Sequence, residues 1–153
     1  MSKPRLYFDT SVFGGIFDVE FQQDTKMLFE MVRSGEVICV YSDLCEYELE
    51  NAPKIVKDHF LNLEKSQTEF AEITEEINLL AEEYVKEKVV GETSIDDCRK
   101  IACATINKVD YLVSWNFKHI VNVFRIRGYN AINIKNGHIQ LDIRSPKDII
   151  KNE

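Results

Sequence analysis

The chain has 153 residues, 44% of them hydrophobic and 29% charged, with a net charge of −7. That is the size and balance of one domain able to bury its own core, expected to span residues 1–153. No apolar run approaches the ~18 residues that a membrane span requires, and Asp9 falls too early for the apolar stretch of a signal peptide, so a cytoplasmic location is expected. The acidic sum argues against binding nucleic acid by bulk electrostatics. Its distribution says more: residues 1–98 carry 9 Lys/Arg against 22 Asp/Glu, and residues 99–153 carry 10 against 4. A molecule polarised in this way can present one basic face to RNA.

In chain order, Arg5-Leu6-Tyr7-Phe8 is a short β-prone run ending at Asp9, and Gly14-Gly15 then signals a turn. Lys26 to Ser34 has apolar residues at 27, 28, 31 and 32, which is helical spacing, and Gly35 supplies the stop. Val37 to Tyr41 is nearly all apolar, as in a parallel strand buried on both faces. Ser42-Asp43 opens a helix through Leu49, with Glu46 closing a capping box if Asp43 is the cap. Pro53 opens a further helix over about 54–63. Phe70–Ile73 reads as a third strand, Thr74–Lys88 and Ser94–Asn107 as amphipathic helices, and Asp110–Ser114 and Ala131–Ile134 as two more strands. Alternating strands and helices argue for a parallel sheet covered on both faces, in which ligands gather beyond the carboxyl ends of the strands.

Cys39, Cys45, Cys98 and Cys103 form no CxxC pair, and His59, His119 and His138 are scattered. The cysteines read as small buried hydrophobes. The acids are more informative. Asp9 follows the first strand, Glu48 lies on the helix after the second, Asp97 is in the first turn of a helix, and Asn116 follows the Asp110–Ser114 strand. Oxygen donors gathered from these four suit Mg²⁺ or Mn²⁺. Carboxylates within ~4–6 Å repel each other unless a cation lies between them, and a metal ion there activates water against a phosphodiester. Singly, each has a plainer role: turn former for Asp9, solvated helix acid for Glu48, helix-dipole partner for Asp97, cap for Asn116.

Taken in order, four segments resemble the PIN-domain family over nearly the whole chain. YFDTSVFGG is similar to its opening strand-plus-Asp motif, with Asp9 the first acid and Thr10 or Ser11 a site hydroxyl. SDLCEYEL resembles the Ser-then-acid motif ending at Glu48. DCRKIACA resembles the helix that supplies the third acid, Asp97, with Lys100 where histidine is common. VDYLVSWNFKHI resembles the closing strand motif and puts Asn116 where many members carry aspartate. The resemblance implies a three-layer α/β/α sandwich around a five-stranded parallel sheet. It implies Mg²⁺- or Mn²⁺-dependent endoribonuclease activity, in a group that includes the VapC-like toxins of toxin–antitoxin pairs. Asp9, Glu48 and Asp97 are then the expected metal ligands, and Asn116 completes the shell.

Thr10 and Ser11 are expected to meet the metal shell or substrate, and Arg99, Lys100, Lys118, Arg125 and Arg127 are candidate phosphate contacts, with plain salt bridges as the alternative for each cation. RNA is the expected substrate, an antitoxin a candidate partner, and a homodimer the expected assembly, through apolar residues such as Met27, Phe29, Met31, Leu79, Leu80 and Tyr84. The competing functional reading is a catalytically idle PIN-like module that binds a protein or RNA. An aspartyl-phosphate enzyme using Asp9 ranks last, because Asp9-Thr10-Ser11 is not the DxD signature that chemistry calls for.

Overall fold

The computed structural model describes residues 2–88 and 93–150; residues 1, 89–92 and 151–153 of the expected domain lie outside them. At its centre is a five-stranded sheet, every pairing parallel, in the order β3-β2-β1-β4-β5. The strands are β1 (Arg5–Phe8), β2 (Ile38–Ser42), β3 (Thr68–Ala71), β4 (Tyr111–Val113) and β5 (Ile143–Arg144). Strand β1 pairs on one side with β2, Tyr7 opposite Val40, and on the other with β4, Tyr7 opposite Leu112. Eight α-helices flank this sheet among the described residues: α1 (Thr10–Gly15), α2 (Gln22–Arg33), α3 (Asp43–Glu50), α4 (Lys54–Leu61), α5 (Glu75–Glu87), α6 (Ile95–Ile106), α7 (Val123–Lys135) and α8 (Pro146–Ile150). This is the PIN-like α/β/α sandwich.

Alternation along the strands divides the apolar residues into two cores. Tyr7, Val40 and Leu112 face α5, α6 and α7, whereas Leu6, Phe8, Cys39 and Val113 face α1 and α2. All four cysteines are free and buried, packing as small hydrophobes. After Lys100, helix α6 has apolar or small residues on nearly all sides, and everything from Lys100 to Thr105 is buried. A helix of that kind belongs in the middle of a molecule. This placement carries Lys100 inward with its neighbours.

Local chemistry sets the ends. Gly35 has φ +79°, a left-handed conformation suited to glycine, and stops α2. Ser42, Thr74 and Ser94 each cap a helix by accepting a backbone N–H, from Cys45, Ile77 and Asp97. Ser42, not Asp43, is thus the cap of α3. Asp43 accepts from the backbone N–H of Leu44 and Ile73 instead, tying β3 to β2.

Three expected elements differ. Thr10–Gly15 winds into helix α1 where a turn was read, because Asp9 stays extended and the residues after it close helical hydrogen bonds, with Val12 and Phe13 buried in the core. Helix α8, which packs on α2, has no counterpart in the sequence reading. The segment Ala131–Ile134 is the last part of α7, and the fifth strand is Ile143–Arg144. The reason is a polar buried face. Asn130 bonds both the N–H and the C=O of Leu141, and Asn133 donates to Thr105 and Asn130 and accepts from the Tyr84 hydroxyl at 2.5 Å. Buried asparagines break the apolar period by which a helix is read, and each must be hydrogen-bonded to sit there.

Candidate functional site

The carboxyl ends of β1, β2 and β4 lie side by side, and α6 brings Lys100 to them. Asp9 leaves β1 in an extended conformation at the N-cap position of α1, yet its carboxylate caps nothing. Its Oδ1 accepts from Lys100 Nζ at 2.8 Å; its Oδ2 accepts from the hydroxyls of Ser11 at 2.7 Å and Ser114 at 2.8 Å. Glu48, on the last turn of α3, brings Oε1 to 2.9 Å from the same Nζ and accepts there from Thr10 Oγ1 at 2.5 Å. Asp97, one helical turn before Lys100, lies 3.6 Å from it. Three carboxylates therefore close on one ammonium, and both partners of the shortest pair are buried: Asp9 is 3% exposed and Lys100 6%.

The electrostatics follow from that geometry. Burial pushes the Asp9 carboxyl up, but the facing ammonium of Lys100 and the Ser11 and Ser114 hydroxyls outweigh it and hold the group below its ordinary range. Burial likewise disfavours a charged Lys100, and Asp9 and Glu48 overcome it, raising its pKa. Asp97 goes the other way. Burial and the repulsion of Asp9 and Glu48 raise it above the ordinary value, with Lys100 only partly compensating. Formally the cluster keeps two more negative charges than positive.

No family model matches the sequence, and no curated protein sequence matches it. Solved structures do. The toxin VapC20 of Mycobacterium tuberculosis, which cleaves the sarcin–ricin loop, is similar over 90% of this chain and 98% of its own, at 12% identity and a TM-score of 0.58. VapBC2 of Rickettsia felis, solved bound to a DNA fragment from its promoter, is similar over 92% of this chain and 98% of its own, at 12% identity and a TM-score of 0.54. The fold is that of a VapC-like PIN domain. At such identity the likeness is one of architecture, and the site has to be read from this chain's own residues.

In this PIN fold Asp9, Glu48, Asp97, Thr10 and Ser11 come together as one connected group. Asn116 does not enter it through its side-chain oxygen. Its Oδ1 accepts from the backbone N–H of Lys118 and His119, capping the turn after β4. Lys100, read as a phosphate contact or a plain salt bridge, is buried as the centre of the acid group. Arg99 points elsewhere, held by Asp96 at 2.7 Å and Asn78 at 3.0 Å. Arg125 bonds the Thr93 hydroxyl. Lys118 is exposed just past β4 and makes no ion pair among the described residues, and Arg127 is exposed on α7.

Ser114 is the site residue that sequence reasoning missed. It is fully buried, donates to Asp9 Oδ2 and accepts the Asn116 N–H at 2.9 Å. The available signal was a small polar residue directly after the apolar β4, at the sheet end where the acids were expected. Behind it, Trp115 donates its backbone N–H to Ser11 and its indole N–H to Thr25, so the β4 loop is tied to α1 and α2.

Three carboxylates on one point are the donor set of a hard divalent cation, and in charge and donor type these residues fit Mg²⁺ or Mn²⁺. Among the described residues, however, no three acids or histidines close around a point left open for a metal. Here they close around Nζ.

Proposed function

We propose that this chain is an endoribonuclease that hydrolyses RNA phosphodiester bonds with Mg²⁺ or Mn²⁺, and that it is the toxin of a toxin–antitoxin pair. The observation that carries the reading is the convergence of Asp9, Glu48 and Asp97 at the carboxyl edge of a PIN-type sheet. The likeness in fold to VapC20, a toxin that cleaves the sarcin–ricin loop, supports it. Asp9, Glu48 and Asp97 are the residues that would hold the metal. When bound, the ion supplies Lewis acidity toward a phosphate oxygen and makes a bound water easier to deprotonate.

The rest falls to the chain itself. Ser11 and Ser114 fix the Asp9 carboxylate through its Oδ2, and Thr10 fixes Glu48, so the acids are held in place before substrate arrives. Lys118, exposed beside the β4 end, contacts the RNA backbone. The protein works in the cytoplasm with an antitoxin as partner. It pairs as a homodimer through apolar residues left at the surface, with Met27 and Leu79 exposed while Phe29, Leu80 and Tyr84 are taken by the cores. Light scattering at micromolar concentration should give twice 17.8 kDa; a monomer alone would remove the dimer.

The direct test is cleavage of a mixed RNA pool by purified protein in Mg²⁺, in Mn²⁺ and in EDTA, beside Asp97→Asn. Cleavage lost in EDTA and in the variant is expected. A second reading, an idle PIN-like module that binds a partner, is favoured by Lys100 filling the acid group and Asn116 turning away from it. Absence of cleavage at saturating Mn²⁺ would favour that module.

A further inference from the structure

Lys100 makes contacts that a metal ligand set does not leave room for. Asp9 Oδ1 is taken by its ammonium, and Asp9 Oδ2 by two hydroxyls. Glu48 Oε1 is shared between the ammonium and Thr10. Only Asp97, at 3.6 Å, is loosely engaged. A divalent ion that reached both Asp9 and Glu48 would stand within a few ångströms of Nζ, where two cations repel strongly in a buried setting. The lysine is nevertheless on a long flexible stem, one helical turn past Asp97, and Asp97 is more open than Asp9.

We propose that Lys100 is the protein's own cation at this site, closing the acid group in the metal-free state, so that a divalent ion binds only by displacing its ammonium from Asp9 and Glu48. This deepens the nuclease reading and rests on it for the identity of the competing ion. It assigns to Lys100 a positioning role: the residue sets how tightly, and at what concentration, the metal enters. The charge left over favours exchange. Three carboxylates facing one ammonium still attract a divalent ion, whereas a lysine among only two would leave a single unmatched charge.

The test reads metal binding and lysine exposure, not RNA cleavage. Mn²⁺ is titrated calorimetrically into the wild type, Lys100→Met and Lys100→Gln, all as the whole chain. In parallel, wild-type Lys100 is labelled with an amine-acylating reagent, with and without saturating Mg²⁺, and scored by peptide mass spectrometry. Removing the competitor should tighten Mn²⁺ binding tenfold or more in whichever variant folds. Lys100, protected without metal, should become reactive with it. Wild type and variants binding Mn²⁺ with equal affinity would overturn the displacement while leaving the metal site standing, as would a Lys100 that stays protected once metal has bound. If no protein binds Mn²⁺, the displacement falls together with the metal-dependent reading.

Discussion

At the scale of single residues, Asp9 and Asp97 are both site carboxylates, yet the protein bends their ionisation in opposite directions. Asp9 is held charged by Lys100, Ser11 and Ser114, while Asp97 is half-buried against two like charges. Asparagine substitutions should therefore separate them in the metal-free protein. Asp97→Asn removes repulsion and should raise the melting temperature by about 2–4 °C, the shift expected from ~1 kcal/mol in a domain of this size. Asp9→Asn, which simple repulsion among acids would also predict to be stabilising, should instead destabilise. Breaking a buried ion pair costs about 3–5 kcal/mol, and because Lys100 keeps Glu48 and Asp97, about 2–3 kcal/mol is expected. Thermal denaturation in EDTA measures both, and an Asp9→Asn protein as stable as the wild type would show that the Asp9–Lys100 contact is worth nothing.

The same contact fixes a pH dependence. Because the folded Asp9 pKa lies below its ordinary value, its contribution is complete above about pH 4 and is lost as pH falls through the folded value. Lys100 is raised, so its contribution is complete below about pH 10 and is lost as pH rises through its folded value. Asp97 is raised as well, so its ionisation costs stability at neutral pH, and that cost disappears as acid protonates it. The gap between wild type and Asp9→Asn should thus be flat from pH 5 to 9 and close below about pH 4. Melting curves across that range check it.

At the scale of elements, most of the fold was legible because its signals are local. Gly35 marks the end of α2, apolar periodicity marks α5 and α6, and the strand around Cys39 and Val40 announces itself by an apolar run. The failures were non-local. Asn130 and Asn133 look like surface residues until Leu141, Thr105 and Tyr84 are brought to them. Lys100 looks like a solvated helix charge until the face of α6 that carries it is buried. The acids could be named from spacing and resemblance; which cation they face could not. Gly15 is a further case, legible only as a turn signal. A Cβ there would come within 2.7 Å of both Thr25 Oγ1 and Trp115 Nε1, the two atoms of one hydrogen bond. Gly15→Ala should break that bond and push the β4 loop outward, at about 1–3 kcal/mol. Trp115 is the only tryptophan and is nearly buried, so its fluorescence should shift to the red. An unmoved spectrum with unchanged stability would mean that α1 yields instead.

At the scale of the whole molecule, the acid group lies in a chain of net charge −7 whose last third is basic. Few of those cations remain to meet a polyanion. Lys100 faces the acids, Arg99 faces Asp96, and Arg125 bonds Thr93. The candidate left near the carboxyl edge is Lys118, exposed just past β4. RNA binding should accordingly be weak and only mildly salt-dependent, since each phosphate neutralised on a single strand contributes a slope of about −0.7 in log K against log salt. Lys118→Ala should lower the magnitude of that slope by about 0.7. Arg33, at the end of α2 just before β2 and paired with Glu30, lies toward the opposite edge of the sheet, and Arg33→Ala should leave the slope unchanged. Fluorescence anisotropy of a labelled single-stranded RNA in EDTA, across 50–200 mM salt, separates binding from cleavage. If Lys118→Ala and Arg33→Ala behave alike, the RNA does not approach over the β4 end, and the basic residues of the last third serve only the protein's own surface.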